Sequence, residues 1–404
     1  MNSGNKSIRL CHCNIIIDDD ILTDANLEIS NGKILSINKS GSNYPKNNCL
    51  EIDLNGYYIV PGFVDIHCHG GNGYDFMDGT QEAFDEISRF YAQEGITSVI
   101  ATSMTADFCE ISKFIKSYMD AKNKTFDGAE ILGIHLEGPY LSKEMSGAQD
   151  RKYLKDKIDY NLISVLNLSN DILRMSLAPE LPEAKKLVTE LRKRNIIASI
   201  GHTAADYDIF NLAVSWGCSH VTHLYSGMKG VFYKDSFRKA GVVEAALLDD
   251  NITVELIADG KHLPSAIIEL VYKIKGSRRI AIVSDAMRAT GTCLHRSILG
   301  SIGKGKEVII EDGVAKSLNG KSLAGSVTPL SKMVKFLYDN TSIPLIDIVR
   351  MVTATPADIM GLNDRGRIRK GLKADITILD KDMNVSMVIV GGRIVKNNII
   401  FGYI

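Results

Sequence analysis

The sequence predicts an α/β fold, in which a (β/α)8 TIM-like barrel is combined with a small β-sandwich domain built from both ends of the chain. Three observations predict it. The middle of the chain alternates apolar strands with amphipathic helices, these strands number eight, and both ends consist of short strands and tight turns. The predicted boundaries are 1–60 and 366–404 for the β-sandwich domain and 61–365 for the barrel. A doubly wound open sheet is the alternative for the middle.

The two ends of the chain have the same β-rich character. Between two apolar runs near the N-terminus lies an Asn31-Gly32 pair, the strongest short signal for a β-hairpin. From residue 366 onward the chain reads ADITILD, SMVIV and RIVKNNII, with Gly391-Gly392 between the last two. Two such ends most simply pair into one domain, with the barrel inserted between its halves.

The barrel is predicted from eight apolar runs of strand length. They lie at 63–69, 96–102, 130–137, 172–178, 196–202, 218–223, 252–259 and 280–285. Helical patterns separate them, for example at 80–95, 181–195 and 263–276. Continuous apolar strands covered by helices indicate a parallel sheet, and eight repeats indicate closure. Residues 298–325 add a hairpin-like piece with Asp312-Gly313 and Asn319-Gly320 turns.

Charge and composition narrow the class of protein. Lys+Arg 47 against Asp+Glu 48 gives a formal net charge of -1, so we expect no nucleic-acid partner and no anionic membrane surface. The chain has no signal-peptide pattern and no run of ~18 apolar residues. Seven scattered cysteines without CxxC spacing indicate reduced thiols. We therefore expect a cytoplasmic protein.

Polar side chains stand where most of the predicted barrel strands end. The set is His67, His69, Glu137, His202, His223, Asp259 and Asp285. In a barrel the carboxyl ends of all strands meet at one mouth, where catalytic residues of this fold lie. Buried imidazoles and carboxylates are costly unless they are paired or ligated, so the set predicts a metal site.

Six of these residues suffice for two divalent ions. We predict His67, His69, Glu137, His202, His223 and Asp285 as ligands, with Glu137 as the bridge. The absence of a cysteine cluster argues against a closed structural zinc site, and nitrogen and oxygen ligands suit Zn²⁺, Fe²⁺ or Mn²⁺. Such a centre lowers the pKa of bound water to about 7. Asp285 is the predicted catalytic residue, which takes the proton of that water and gives it to the leaving group.

A resemblance to a known family rests on several motifs in order. PGFVDIHCHG, HLEGPYLS with SGAQ, GHTAA, THLYSGM, IADGKH, SDAMRATG and LAGS resemble the amidohydrolase superfamily and, within it, the N-acetylglucosamine-6-phosphate deacetylase family. The resemblance covers residues 55 to 375. It implies metal-dependent hydrolysis of the N-acetyl amide of a 6-phosphorylated amino sugar, a homodimer, and the same ligands and proton-transferring aspartate.

The resemblance also implies contacts to the substrate. They are the backbone of Ala148, the backbone N–H groups of Ser226 and Gly227, the side chains of Arg238 and His262, and Leu323 in the acetyl or sugar pocket. Ser226 and Gly227 would bind the phosphate together with Arg238, which in dimers of the family comes from the neighbouring subunit. Backbone N–H groups and one guanidinium make a phosphate site without a basic protein.

Two alternatives remain open, and the first of them rests on a departure from the family pattern. Ser226 replaces a usual asparagine, so deacetylation of N-acetylgalactosamine 6-phosphate is one alternative. A non-catalytic amidohydrolase-fold protein is another, although it would be expected to lack a ligand. Members with one ion use a histidine in the loop after HLEGP, where this chain has Gln149. Together with His67 and His69, this favours two ions. We expect His12, His135, His220 and His295 to be structural.

Overall fold

The first five strands lie before the barrel. The computed structural model describes residues 7–40, 49–124, 126–159 and 161–399, so the outer ends of the predicted terminal segments lie outside the described residues. The strands are β1 (Ser7–Ile17), β2 (Asp20–Ser30), β3 (Lys33–Lys39), β4 (Cys49–Asp53) and β5 (Tyr58–Pro61). The predicted hairpin joins β2 to β3, and its turn places Asn31 and Gly32 at φ of 51° and 74°. Both angles are typical of a type I′ turn.

The middle of the chain forms the predicted parallel barrel. Its eight strands are β6 (Phe63–Cys68), β9 (Ile96–Thr102), β10 (Glu130–Glu137), β11 (Ile172–Leu177), β12 (Ile197–Ile200), β13 (His220–Val221), β16 (Thr253–Leu256) and β17 (Ile280–Ile282). They pair in sequence order and all in parallel. A doubly wound sheet would reverse its strand order, so that alternative is wrong.

Helices cover the outside of the barrel. They are α1 (Gln81–Gln93), α2 (Phe108–Lys122), α3 (Asn161–Leu166), α4 (Ala184–Lys193), α5 (Tyr207–Trp216), α6 (Val242–Leu248), α7 (Ser265–Lys275), α8 (Leu330–Asn340), α9 (Leu345–Val352) and α10 (Ala354–Ile359), with 3-10 turns at Phe76–Asp78 and Ser277–Arg279. In α1 the Thr80 side chain caps the N-terminus, and Phe84, Ile87 and Tyr91 form the buried face. No helix in the described part of the chain is long and apolar enough to cross a membrane.

Short strands at the mouth of the barrel complete the middle segment. They are β7 (Gly70–Gly71), β8 (Tyr74–Asp75), β14 (Phe232–Lys234), β15 (Phe237–Lys239), β18 (Arg296–Leu299), β19 (Lys306–Glu311) and β20 (Val314–Ser317). The last three form an antiparallel sheet, which is the additional hairpin-like piece that the sequence predicts. It forms a roof over part of the mouth.

The barrel closes at a seam between its first and last strands. β6 and β17 are the two ends of the paired order, and the backbone beyond them supplies the connection. The Asp285 N–H donates to the His67 carbonyl at 2.9 Å, and the His69 N–H donates to the Ala286 carbonyl at 2.8 Å. The seam therefore runs directly through three of the predicted ligands.

The strands from both ends of the chain form one sheet. The C-terminal strands are β21 (Ile376–Leu379), β22 (Val385–Val390) and β23 (Arg393–Asn397), and β21 pairs antiparallel with β5. The order is β23-β22-β21-β5-β1-β2-β3, with β4 also beside β1. This sheet encloses a core of its own, which includes Leu10, Leu27, Ile376 and Ile389. The β-rich region from both termini is confirmed, while the exact boundaries stay a prediction.

Candidate active site

The structure brings the six predicted metal ligands together at the mouth of the barrel. His67 lies in β6 and His69 just beyond it, and Glu137 ends β10. His202, His223 and Asp285 follow β12, β13 and β17. All six side chains are buried. Five strand ends, far apart in sequence, therefore supply one compact cluster.

One group of ligands surrounds the Asp285 carboxylate. Its Oδ1 lies 3.1 Å from His69 Nε2 and 3.5 Å from His67 Nε2. One ligand atom from each of the three residues lies within 4.8 Å of the other two. This spacing leaves room for one ion among them.

A second group surrounds the Glu137 carboxylate, which lies between both groups. Its Oε1 is 3.0 Å from His223 Nε2 and 3.3 Å from His202 Nε2, while its Oε2 is 3.4 Å from His69 Nε2. Glu137 Oε1 also lies 3.7 Å from His67 Nε2, and His67, Glu137 and His223 form a second group that could hold an ion. Glu137 thus contacts histidines of both groups.

The backbone is left-handed at three ligands. His202, His223 and Asp285 have φ of 46°, 28° and 45°. Such a conformation costs non-glycine residues about 1–3 kcal/mol each and persists only where the surrounding structure enforces it. The tight bends after β12, β13 and β17 turn these side chains toward the barrel axis.

The electrostatics of the cluster fit a divalent cation. Burial lowers the pKa of His69, but the Asp285 hydrogen bond and the charges of Glu137 and Asp285 outweigh it and raise this pKa to about 9. His223 is likewise raised to about 9, by Glu137 above all against the effect of burial. His67 Nε2 is buried and has no hydrogen-bond partner among the described residues. Imidazoles drawn to carboxylates, with a free nitrogen among them, form a donor set that suits Zn²⁺, Fe²⁺ or Mn²⁺.

A cavity of about 230 Å³ opens beside the cluster. It is lined by His69, Met104, Glu137, Gly147, Ala148, Gln149, His202, His223, Ser226, Gly227, His262, Asp285, Leu299, Ser322, Leu323 and Gly325. Five of the six predicted substrate contacts are in this lining. The sixth, Arg238, is not.

Arg238 lies on the exposed β14–β15 hairpin. Its guanidinium stacks 5.4 Å from the centre of the Tyr233 ring. Tyr233 and Phe237 on the same hairpin are 67% and 72% exposed, which is unusual for large apolar side chains. The chain does not bring its own Arg238 into its own cavity lining.

Two loop residues hold their neighbours in place at the cavity. Asp259 Oδ2 lies 2.7 Å from His262 Nδ1, so Asp259 orients the imidazole of His262 rather than that of a metal ligand. Gln149 Nε2 donates to Glu137 Oε2 at 2.6 Å, and Gln149 Oε1 accepts from the Thr105 N–H at 2.9 Å. Gln149 therefore fixes the orientation of the predicted bridge.

The turn predicted to bind phosphate is partly engaged within the chain. The Ser226 N–H donates to the His223 carbonyl at 2.9 Å. The Gly227 N–H and the Ser226 hydroxyl are the other donors of this turn, and both residues line the cavity. The predicted contact of the Ser226 and Gly227 backbone N–H groups with phosphate stays a prediction.

The roof of the cavity is held by a buried arginine. Arg288 forms a bidentate pair with Asp78 at 2.7 and 2.8 Å, and its remaining donors bind carbonyls that include Gly73 at 2.9 Å and Gly300 at 2.8 Å. Gly300 follows Leu299, which lines the cavity. Arg288 thus ties the roof to the loop after β6.

Sequence reasoning missed a buried ion pair beneath the cluster. Arg174 in β11 and Glu255 in β16 contact each other with no exposed surface. Burial raises the pKa of Glu255, but Arg174 and His67 outweigh it and hold this pKa well below its usual range. The available signal was a single charge inside each apolar strand, ILRMSL and TVEL. His135 and His220, predicted to be structural, both contact this pair.

The model of the amidohydrolase family matches residues 58–395. The N-acetylglucosamine-6-phosphate deacetylase of Vibrio furnissii is 33% identical over 83% of this chain and 82% of its own length, and that of Bacillus subtilis (strain 168) is 31% identical over 94% and 95%. The crystal structure of N-acetylglucosamine-6-phosphate deacetylase from Pasteurella multocida has a TM-score of 0.89 and 29% identity, covering 96% of this chain and 99% of that one.

Proposed function

The chain belongs to the amidohydrolase family and, within it, to the N-acetylglucosamine-6-phosphate deacetylases, and from this we propose that it hydrolyses N-acetyl-D-glucosamine 6-phosphate to D-glucosamine 6-phosphate and acetate. One observation carries the proposal. One cavity is lined by five of the six predicted metal ligands, all but His67, and by five of the six predicted substrate contacts. The protein would then be an enzyme of amino sugar metabolism.

The ligands divide between two sites in this proposal. His67, His69 and Asp285 would hold a first ion, His202 and His223 a second, and Glu137 would bridge them. When bound, such ions polarise the amide carbonyl and lower the pKa of water. Zn²⁺ is the first candidate, with Fe²⁺ or Mn²⁺ as alternatives.

Asp285 would act as the proton carrier. Its carboxylate is ionised, because His67, His69 and His223 hold its pKa below the usual value although burial acts in the opposite direction. It lines the cavity, so it can accept a proton from the water that attacks the acetyl carbon. The C–N bond then breaks, and the same carboxyl group donates the proton to the departing amine.

Other residues would hold the sugar. His262, fixed by Asp259, offers its Nε2 to the substrate, and Leu323 lines the acetyl or sugar pocket. Ala148 offers its backbone. The Gly227 N–H and the Ser226 hydroxyl would meet the phosphate.

We further propose a homodimer in which Arg238 completes the phosphate site of the neighbouring subunit. The exposed apolar side chains of its hairpin support this, because they need a cover. A cytoplasmic location, which the seven free cysteines favour, is part of the proposal.

The test is acetate release by the purified, metal-loaded protein from the glucosamine and galactosamine substrates. We expect the glucosamine epimer to have the higher kcat/KM, and Asp285→Asn to lower kcat at least 100-fold on both. Metal analysis must accompany the variant, because Asp285 is also a ligand. A preference for the galactosamine epimer would refute the substrate, and wild-type turnover in the variant would refute the role of Asp285. Undetectable acetate with full metal loading would instead support a non-catalytic protein.

A further inference from the structure

A buried ion pair lies inside the barrel, directly beneath the proposed metal ligands. Arg174 and Glu255 are both fully buried there, at a depth where barrels of this kind are filled by branched apolar side chains. A buried ion pair contributes little to stability compared with apolar residues of the same volume. The pair therefore needs an explanation other than holding the barrel together.

The two oxygens of Glu255 have different partners. Oε1 contacts the Arg174 guanidinium and lies 3.4 Å from His220 Nε2. Oε2 lies 3.0 Å from His67 Nδ1 and accepts the His223 backbone N–H at 3.0 Å. Glu255 thus contacts one proposed ligand of the first ion through its ring and one of the second through its backbone.

These contacts determine which nitrogen of His67 carries its proton. An ionised carboxylate only accepts hydrogen bonds, so His67 Nδ1 must be protonated to bond with Glu255. Arg174 Nη2 also lies 3.3 Å from His67 Nδ1, but it donates to His135 at 2.9 Å, and the shorter contact of His67 Nδ1 is the one to Glu255 at 3.0 Å. The other nitrogen, Nε2, then keeps a lone pair. It is this nitrogen that is buried without a partner and lies 3.5 Å from Asp285 and 3.7 Å from Glu137.

Arg174 holds Glu255 in this position from the far side. One of its nitrogens binds Glu255, and Nη2 donates to His135 Nδ1 at 2.9 Å. The opposite nitrogen of His135, Nε2, lies 2.7 Å from the Ser176 hydroxyl. Arg174 is thereby anchored at both ends of its guanidinium, and Glu255 cannot rotate away from His67 without leaving a buried charge unpaired.

We propose that Glu255 is a positioning residue, which holds His67 with Nδ1 protonated and Nε2 directed at the first metal ion, and that Arg174 keeps Glu255 in place. The inference deepens the proposed function, because it concerns how that site takes up its first ion. A carboxylate that orients a metal-bound imidazole typically changes metal affinity 10–100-fold when it is replaced.

Glu255→Gln tests the proposal. Arg174 can only donate, so the amide oxygen of Gln should face Arg174 and the amide NH₂ should face His67, which leaves the His223 N–H without its acceptor. His67 Nδ1 must then accept, and its proton moves to Nε2, where it blocks the metal. In chelator competition with Zn²⁺, we expect the first-ion affinity to fall about 10–100-fold. The second-ion affinity should fall less, because His223 loses only a backbone hydrogen bond and its ring keeps its contacts.

Asp347→Asn is the matched control. Its carboxylate also lies in a partly buried cluster, with Tyr272 at 2.6 Å and Arg350, and it is not part of the cavity lining. It should lower stability and leave both Zn²⁺ affinities unchanged. Unchanged first-ion affinity in Glu255→Gln, or an equal loss of both ions, would overturn the proposal.

A second measurement covers the case in which Glu255→Gln does not fold. In zinc-loaded wild-type protein labelled with [¹⁵N]histidine, the His67 resonances are assigned by their loss in His67→Asn. We expect a directly bonded proton on Nδ1 and a metal-shifted Nε2, and the opposite assignment would overturn the proposal. Neither readout uses the substrate. A chain that binds two ions but releases no acetate would refute the proposed function and leave the role of Glu255 standing.

Discussion

His69 and His223 should make the stability of the metal-free protein depend on pH. Burial lowers the pKa of each, but the carboxylates of Asp285 and Glu137 outweigh it and raise both from 6.5 to about 9. A group whose pKa is raised by folding stabilises the fold fully below its unfolded pKa, and that contribution is lost as the pH rises through the folded value. Metal-free protein should therefore lose stability between pH 6.5 and 9. Bound ions would replace the protons and remove this loss.

The size of the effect follows from the two pKa values. A rise from 6.5 to about 9 corresponds to about 3 kcal/mol for each histidine. The two rings share Glu137, so twice this figure is an upper limit. With an unfolding entropy of about 2.1 cal/mol/K per residue, 3 kcal/mol in a chain of 404 residues shifts Tm by roughly 4 °C.

The assay is scanning calorimetry of metal-stripped and zinc-loaded protein at pH 6.5 and pH 9. Asp65, with its pKa raised to about 7, and Lys275, with its pKa lowered to about 8, also titrate in this range. They do so in both forms, so the increase in Tm caused by zinc is the quantity to compare. It should grow by roughly 4–8 °C from pH 6.5 to pH 9. In metal-stripped protein, His69→Asn should remove about half of the decrease in Tm between pH 6.5 and pH 9. A zinc-induced increase in Tm that is the same at both pH values would refute the reasoning.

Three other predictions concern the proposed site. Replacing both His67 and His69 by Asn should reduce bound metal from two ions to one and abolish most acetate release, whereas two retained ions by metal analysis would contradict the assignment. Arg288→Met should leave the buried Asp78 carboxylate unpaired and lower the free energy of unfolding by about 3–5 kcal/mol, measured by denaturant titration; a change under about 1 kcal/mol would refute the role of this pair. Arg238→Ala should raise KM at least tenfold with little change in kcat, while Lys239→Ala, on the same exposed hairpin, should do neither.

The fold could be predicted because its signals are local. Each of the eight barrel strands is a short apolar run, and the structure places all eight within those runs. The Asn31-Gly32 turn and the Asp312-Gly313 turn are two-residue patterns with one favoured geometry. The proposed ligands could be predicted from the sequence for a related reason. A polar residue that ends an apolar strand has a known place in a parallel barrel.

The contacts that could not be predicted depend on partners distant in sequence. Arg174 and Glu255 look like misplaced charges in two separate strands, and only the closed barrel brings them together. Arg288 belongs to a motif that the resemblance covers, but its partner Asp78 lies in an unrelated loop. In the turn after β13, the sequence does not show which hydrogen-bond donors are already bonded within the chain. Its sequence indicates a phosphate site, but not that the Ser226 N–H is already bound to the His223 carbonyl.

The seam of the barrel links the proposed chemistry to the opening motions of the fold. Seven strand pairs hold the barrel through parallel ladders, whereas β6 and β17 are joined by the backbone around His67, His69 and Asp285. A protein unfolds locally first where the fewest hydrogen bonds and buried contacts hold its backbone. The residues proposed to hold the first ion therefore also hold the place where the barrel would come apart. Binding of an ion at this site and resistance of the seam to local unfolding are therefore coupled, so that a change in one should change the other.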